Sequence, residues 1–315
     1  MDKPWARRLV LRTFFSDHQK ELQHGTVLTV PYGDEESRRN LAGASARYLN
    51  TFRDSVRVDA LAGYTLARIQ LWDPDRCVYD WWGKCILQNA FPIRRDLLTE
   101  QRTAFARANL EWQASPMSTL RLAIAPTFQT VVSDERAKED PNDGDRRTLF
   151  TTVVGLEHQL SILDRRLENI AFAKGYLQTV RAEKHVGEIS LNRDRNTLQP
   201  GIGNALRLRV LPSAYAKASY EYATRLPNLE EIFGDGVLIQ PNLELVPETS
   251  HNLNFGATLD LSESKTGSWY LEVNGFLRET KNQIVAGPPS QQGIFSQVNA
   301  LGSRSLGVEA TGSWT

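Results

Sequence analysis

The feature that most constrains this chain is an alternation of period two that returns along its length. In residues 119–130 the even positions are Leu120, Leu122, Ile124, Pro126 and Phe128, and the odd positions are Thr119, Arg121, Ala123, Ala125, Thr127 and Gln129. Successive side chains of a strand point to opposite faces, so such a segment has one greasy face and one polar or small face. Ala104, Ala106, Ala108, Leu110 and Trp112 alternate in the same way with Phe105, Arg107, Asn109, Glu111 and Gln113. Two later runs, 252–261 and 305–314, repeat the pattern.

The spacing predicts strands near 6–16, 41–53, 55–70, 103–114, 117–133, 148–162, 167–184, 199–211, 213–223, 249–261, 269–281 and 294–314. The links between them alternate in length. Short turns fall at Asp54, 115–116, 163–166, Pro212 and 262–268, and long links at 17–40, 71–102, 134–147, 185–198, 224–248 and 282–293. A half-buried soluble sheet also alternates. It has no reason to put every long link at one end, whereas an outer-membrane barrel has long external loops and tight periplasmic turns. Most of the runs also reach the ~9–11 residues that a tilted strand needs to cross a bilayer. The expected fold is therefore an all-β, antiparallel transmembrane barrel. Its mean hydropathy of −0.40 does not oppose this, because alternating strands average to neutral. Trp112, Tyr220, Tyr222, Trp269 and Trp314 lie towards strand ends on the greasy face, as interfacial aromatics do; ordinary packing would place them similarly.

Equal numbers of basic and acidic residues, 37 of each, give no reason to expect a nucleic-acid partner. The first residues, MDKPWARRLVLRTFF, hold neither an apolar core nor a cleavage site of signal-peptide type, so an export signal is expected outside this stretch. His18, His24, His158, His185 and His251 are scattered without metal spacing, and no nucleophile elbow or phosphate-cradling loop occurs. The chain is expected to be no enzyme and to need no cofactor or metal.

Binding residues are expected in the long links. Residues 72–86 (WDPDRCVYDWWGKCI) place Trp72, Tyr79, Trp81 and Trp82 with Arg76 and Lys84 around Cys77 and Cys85. Aromatic faces and cations in a tethered loop suit a catecholate, a haem edge or a sugar ring; a self-packed loop is the plain alternative. The cysteines read either as a disulfide closing that loop or as two unrelated thiols. Inward charges (Arg107, Glu111, Arg121, Arg207, Arg209, Lys217 and Glu221) are expected to face the lumen.

The segments YATRLPNLEEIFGDG, QPNLELVPETSHNLNFGATL and VNALGSRSLGVEATGSW resemble the later barrel region of TonB-dependent outer-membrane receptors. The matching residues are Arg225, Pro227, Glu231, Phe233, Gly234, Asn242, Leu243, Pro247, Glu248, Ser250, Asn252, Gly307, Val308 and Glu309. The resemblance implies about twelve strands of a 22-stranded barrel, with a plug domain, TonB and a bilayer as partners and a scarce nutrient as ligand. It leaves residues 1–315 as a barrel portion with no plug segment. Within 224–248, Arg225, Glu230 and Glu231 are candidates to organise the loop, Arg225 and Glu230 also to meet the ligand, Gly234 and Gly236 serve turn geometry, and Asn242, Pro247 and Glu248 return the loop to its strand. Haem receptors of this family carry related Arg-Ala-Pro and Asn-Pro-Asn-Leu boxes flanking a histidine. Leu226 and Gln240 depart from these, and no histidine lies between Arg225 and Asn242. By analogy the expected ligand is a ferric siderophore. Two other readings compete, a passive porin-like or structural barrel and a soluble all-β sugar-binding module.

Overall fold

The computed structural model describes residues 7–21, 36–72, 77–79, 85–88, 96–136, 144–186, 189–234, 239–261, 267–289 and 295–315. The main strands are β1 (Arg8–Glu21), β2 (Glu36–Phe52), β3 (Val56–Trp72), β6 (Asp96–Ser115), β7 (Ser118–Glu135), β8 (Gly144–Ile162), β9 (Leu167–Val186), β10 (Ile189–Leu211), β11 (Ala214–Arg225), β13 (Glu248–Leu261), β14 (Trp269–Lys281) and β17 (Gly302–Trp314). They form one 12-stranded sheet in that order, each strand antiparallel to the next. Between them lie β4 (Cys77–Tyr79), β5 (Cys85–Gln88), α1 (Leu229–Phe233), β12 (Ile239–Gln240), β15 (Ile284–Ala286) and β16 (Phe295–Asn299). No helix among the described residues is long and apolar enough to cross a membrane.

Register turns the alternation into two distinct faces. Leu110↔Leu122 and Leu122↔Leu156 sit side by side on one face, and Glu111↔Arg121 and Arg121↔Glu157 on the other. The first face is bare: Leu122 is 47% exposed, Phe128 47% and Leu156 53%. A wall of such side chains is stable only against lipid. The greasy band begins at the short turns and runs about ten residues up each strand. Trp112, Trp269 and Trp314 stand at its lower rim, with Trp269 and Trp314 stacked at 5.4 Å.

The other face is a ladder of charges paired between neighbouring strands. Arg47 meets Asp59 at 2.6 Å, Arg121 meets Glu111 at 2.8 Å and Glu157 at 2.5 Å, Lys174 meets Glu221 at 2.9 Å, and Lys217 meets Glu272 at 2.7 Å. On this face Phe14, Phe105, Phe172 and Phe276 lie directly opposite Gly43, Gly63, Gly203 and Gly307. A Cβ at any of these glycines would stand 2.3–2.6 Å from the ring. The absent side chains let the rings lie flat on the wall and keep the lumen clear.

Four sequence expectations change. The long link at 185–198 is not a loop: β9 and β10 stay paired up to Val186↔Ile189. Above the greasy band both faces meet water, so Asn192, Arg193, Asp194 and Arg195 show no alternation to read. For the same reason β1, β2, β6 and β8 stand taller than expected and shorten the links 17–40, 71–102 and 134–147. The expected strand 294–314 is two strands. β16 leaves the wall to pair with β12 and β15, and β17 begins at Gly302, whose φ of 155° puts a would-be Cβ 2.3 Å from the Thr280 carbonyl. Finally, 224–248 and 282–293 hold α1, β12 and β15.

Candidate functional site

The long-link end is occupied on its lumenal side by the segment between β11 and β13. Arg225, the last residue of β11, faces Glu248, the first of β13. Arg225 Nε and Nη2 each donate to a Glu248 oxygen at 2.8 Å, and Nη1 donates to both Glu231 oxygens at 3.0 and 3.1 Å. This bidentate geometry is the strongest that arginine offers a carboxylate. The pair lies above the membrane band. Arg225, helped by the Ile284 N–H, holds the Glu248 carboxyl below the usual carboxylate range, and the guanidinium in turn holds its proton more tightly.

The same Glu231 builds the helix. Asn228 Oδ1 accepts from Glu231 N at 2.9 Å, and Glu231 Oε2 accepts from Asn228 N at 2.8 Å, a capping box that satisfies the first orphan N–H groups. Gly234 ends α1 at φ 70°, where a Cβ would stand 2.0 Å from the Ile239 carbonyl oxygen. Ile232 and Phe233, 0% and 2% exposed, point into the wall against Leu149 of β8 and Val180 of β9. Burying each side chain stabilises the seat by about 1.5–3 kcal/mol. Arg147 donates to the Phe233 carbonyl at 3.1 Å, and the buried Gln178 donates to the Pro227 carbonyl at 2.8 Å.

Asparagines hold the return path. Asn242 N donates to the Ile232 carbonyl at 2.8 Å, and Asn242 Nδ2 to Gln297 O at 2.7 Å. Asn299 Nδ2 donates to the carbonyls of Val246 and Asn282, while its Oδ1 accepts from Val246 N. Leu243 packs beside the α1 cluster, Leu245 is fully buried, and Pro247 is buried. Arg193 of β10 ion-pairs with Glu244. The result is a folded element lying inside the mouth of the wall.

The structure brings Arg225, Pro227, Glu231, Phe233, Gly234, Asn242, Leu243, Pro247 and Glu248 into this one element, and leaves Glu230 exposed on its surface. Gly307 and Glu309 lie apart, on the lumenal face of β17. Trp72, at the top of β3, is 44% exposed and shares the lipid-side parity of Tyr64. Arg76, Trp81, Trp82 and Lys84 lie outside the described residues, as do the side chains of Tyr79, Cys77 and Cys85. The backbone of β4 and β5 forms a ribbon in which Tyr79 faces Cys85. Arg147, Gln178 and Asn299 complete the element without any mark in the sequence. Their partners are 53 or more residues away for Arg147–Phe233 and Asn299–Val246 and 49 for Gln178–Pro227, so no local pattern announces them. Asn228 has a local signal, the Asn-x-x-Glu spacing of a capping box.

The described residues contain no group of three His, Cys, Asp or Glu side chains placed to hold a metal ion. A family model described as TonB dependent receptor-like, beta-barrel matches residues 11–315. This chain belongs to the TonB-dependent receptor family. Members are outer-membrane transporters rather than enzymes, and this chain is an outer-membrane protein. No curated protein sequence matches it. Among solved structures, it is similar to the Serratia marcescens hemophore receptor HasR in complex with its hemophore HasA and heme (TM-score 0.65, 14% identity, 99% of this chain and 50% of that one). It is also similar to the FrpB iron transporter from Neisseria meningitidis (0.66, 13%, 100% and 49%). A third is the ferric-catecholate import receptor Fiu from E. coli K12 (0.61, 10%, 98% and 53%). The chain thus spans about half the length of these receptors, and at such identities the likeness is one of fold.

Proposed function

We propose that this chain forms the ligand-admitting half of an uptake receptor that binds a scarce nutrient, a ferric siderophore, at its extracellular face and passes it inward with energy from TonB. The observation that carries this reading is the convergence of the family-motif residues on a folded element seated at the lumenal side of the mouth. Pro227, Phe233, Asn242 and Pro247 are spent on that seat, which leaves the exposed surface around Glu230 and the loop 72–86 to meet the ligand. In the intact receptor the charged ladder of the lumen wall meets the plug domain. The relatives' names favour iron: a hemophore receptor with heme, an iron transporter and a ferric-catecholate import receptor. Haem is disfavoured by the absence of histidine between Arg225 and Asn242.

The test is uptake of radio-iron presented as catecholate or hydroxamate siderophores, or as haem, by cells with and without the gene, each with and without TonB. Gene- and TonB-dependent uptake of at least one ferric siderophore is expected. Uptake that needs the gene but not TonB would leave a passive barrel, and uptake of haem alone would replace the siderophore.

A further inference from the structure

The seat under the mouth element is well packed at α1 and poorly satisfied beside it. Of the six buried side-chain atoms that lack a hydrogen-bond partner among the described residues, three lie here: Gln178 Oε1, Arg195 Nε and Arg195 Nη2. Register places both residues on the lumenal face next to the α1 cluster. Arg195 of β10 stands opposite Val180, and Thr197, one inward step lower, stands opposite Gln178. Such diagonal neighbours are roughly 7–8 Å apart, within reach of long side chains. Gln178 is 1% exposed and already donates its amide N–H to the Pro227 carbonyl.

Nε and Nη2 are the two donors on one edge of a guanidinium, the edge with which Arg225 holds Glu248. In Arg225 that fork meets two carboxylate oxygens. In Arg195 the same fork is shut away from water and has no acceptor among the described residues. The carboxylate that acts on it is Glu244, which is engaged by Arg193 on the solvent side, with side chains 57% and 69% exposed for Arg193 and Glu244. Burial makes Arg195 hold its proton less tightly, Glu244 opposes this, and Arg193 adds to it. A buried charge without a counter-ion is costly to a folded seat. A fork of two parallel N–H groups matches the paired oxygens of a carboxylate or phosphate.

The seat therefore contains its own release. Ile232 and Phe233 hold α1 against Leu149 and Val180, while the desolvated Arg195 beside them opposes closure. We propose that Arg195 is a latent oxyanion site: when α1 lifts from the wall, its fork takes a carboxylate or phosphate group arriving from outside, and this keeps the mouth element open. Lifting hydrates Arg195 and Gln178 in any case. An oxyanion adds a partner that binds the open form alone and so shifts the population towards it. The joint of Arg225 with Glu248 stays made at the strand ends, so the element swings rather than detaches. The site follows from the geometry of the seat and not from the siderophore reading, so either can fail without the other.

The experiment is hydrogen exchange at Leu229–Phe233 in the detergent-solubilised receptor, with citrate, phosphate and chloride as separate probes at matched ionic strength. In the wild type, citrate or phosphate is expected to raise exchange severalfold and saturably, and chloride is not. A response to citrate alone assigns the site to carboxylates, and a response to phosphate alone assigns it to phosphates. R195M removes the charge and the fork at similar side-chain length. It is expected to slow exchange about tenfold without any anion and to abolish the response. R195K keeps the charge without the fork, and is expected to exchange as fast as the wild type but respond less. Retained heat-modifiable migration on gels shows that the variants are folded. Exchange in folded R195M as fast as in the wild type would overturn the proposal. So would a wild-type receptor that answers chloride as strongly as citrate and phosphate, or that answers none of the three.

Discussion

Arg225 and Glu248 close the top rung of the β11–β13 hairpin with two parallel 2.8 Å hydrogen bonds, and the remaining arm of Arg225 grips Glu231 on the helix of the intervening segment. One guanidinium therefore joins the two strand ends to the element that sits in the mouth. Replacing it, as in R225Q, leaves Glu231 and Glu248 as neighbouring carboxylates with side chains only 17% and 15% exposed. Because Arg225 itself is partly exposed, the ion-pair contribution is discounted for solvent, and a local loss of about 1–2 kcal/mol is expected. Hydrogen exchange at Leu229–Phe233 should rise severalfold while the β7–β9 wall stays protected. Unchanged exchange in α1 would show that the apolar seat alone holds it.

Acid should loosen the same joint. The Glu248 carboxyl is held below its ordinary value by Arg225 and the Ile284 N–H. A depressed carboxylate contributes stability that is complete above its unfolded pKa of about 4.3 and is lost as pH falls through the folded value. Docking of the segment should therefore be level from pH 5 to 8 and weaken only below about pH 4. Limited proteolysis of 226–247 across that range reads it out, and E248Q should remove the acid step. A loss of docking between pH 7 and 5 would point to another group.

The seat itself is tested by F233A. Phe233 is 2% exposed and packs with Ile232, Leu149 and Val180. Truncating so buried an aromatic costs about 3–5 kcal/mol, more than this short element can supply from its caps. The segment should undock without unfolding the barrel. Protease cleavage within 226–247 at unchanged heat-modifiable migration is the expected result, and loss of the folded band would show that the cluster belongs to the barrel core.

How far these features are legible in the sequence depends on where each residue meets lipid. Leu120, Leu122 and Ile124 alternate with Arg121 and Ala123 because one face touches acyl chains, and there the pattern is plain. Asn192 to Arg195 continue the same strand above the membrane, where water wets both sides and the alternation vanishes. Gly302 breaks the last predicted strand through its backbone conformation, which a run of alternating side chains does not reveal. At the mouth, the motif marks the residues but not their use. Arg225 reads as a candidate ligand contact until Glu248, 23 positions on, is seen to hold it. Phe233 finds Leu149 and Val180 only because the segment turns into the lumen.

Two adjacent residues of β7 decide the membrane assignment itself. Leu122 points outward, 47% exposed, opposite Leu110 and Leu156; Ala123 points inward, opposite Asn109 and Gly155, among the charged rungs. The site is five to six residues above the short turn at 116–117, close to the bilayer midplane. An arginine on the lipid face there costs about 2–4 kcal/mol. L122R should therefore lower the unfolding free energy of the barrel in lipid vesicles by that amount. At position 123 the same side chain enters a wet lumen lined by small residues and by Glu111 and Glu157, so A123R should cost less than about 1 kcal/mol. Urea unfolding followed by tryptophan fluorescence in vesicles measures both. Equal costs, or the larger cost at 123, would mean that the Leu122 face packs against protein and the Ala123 face does not line a water-filled interior.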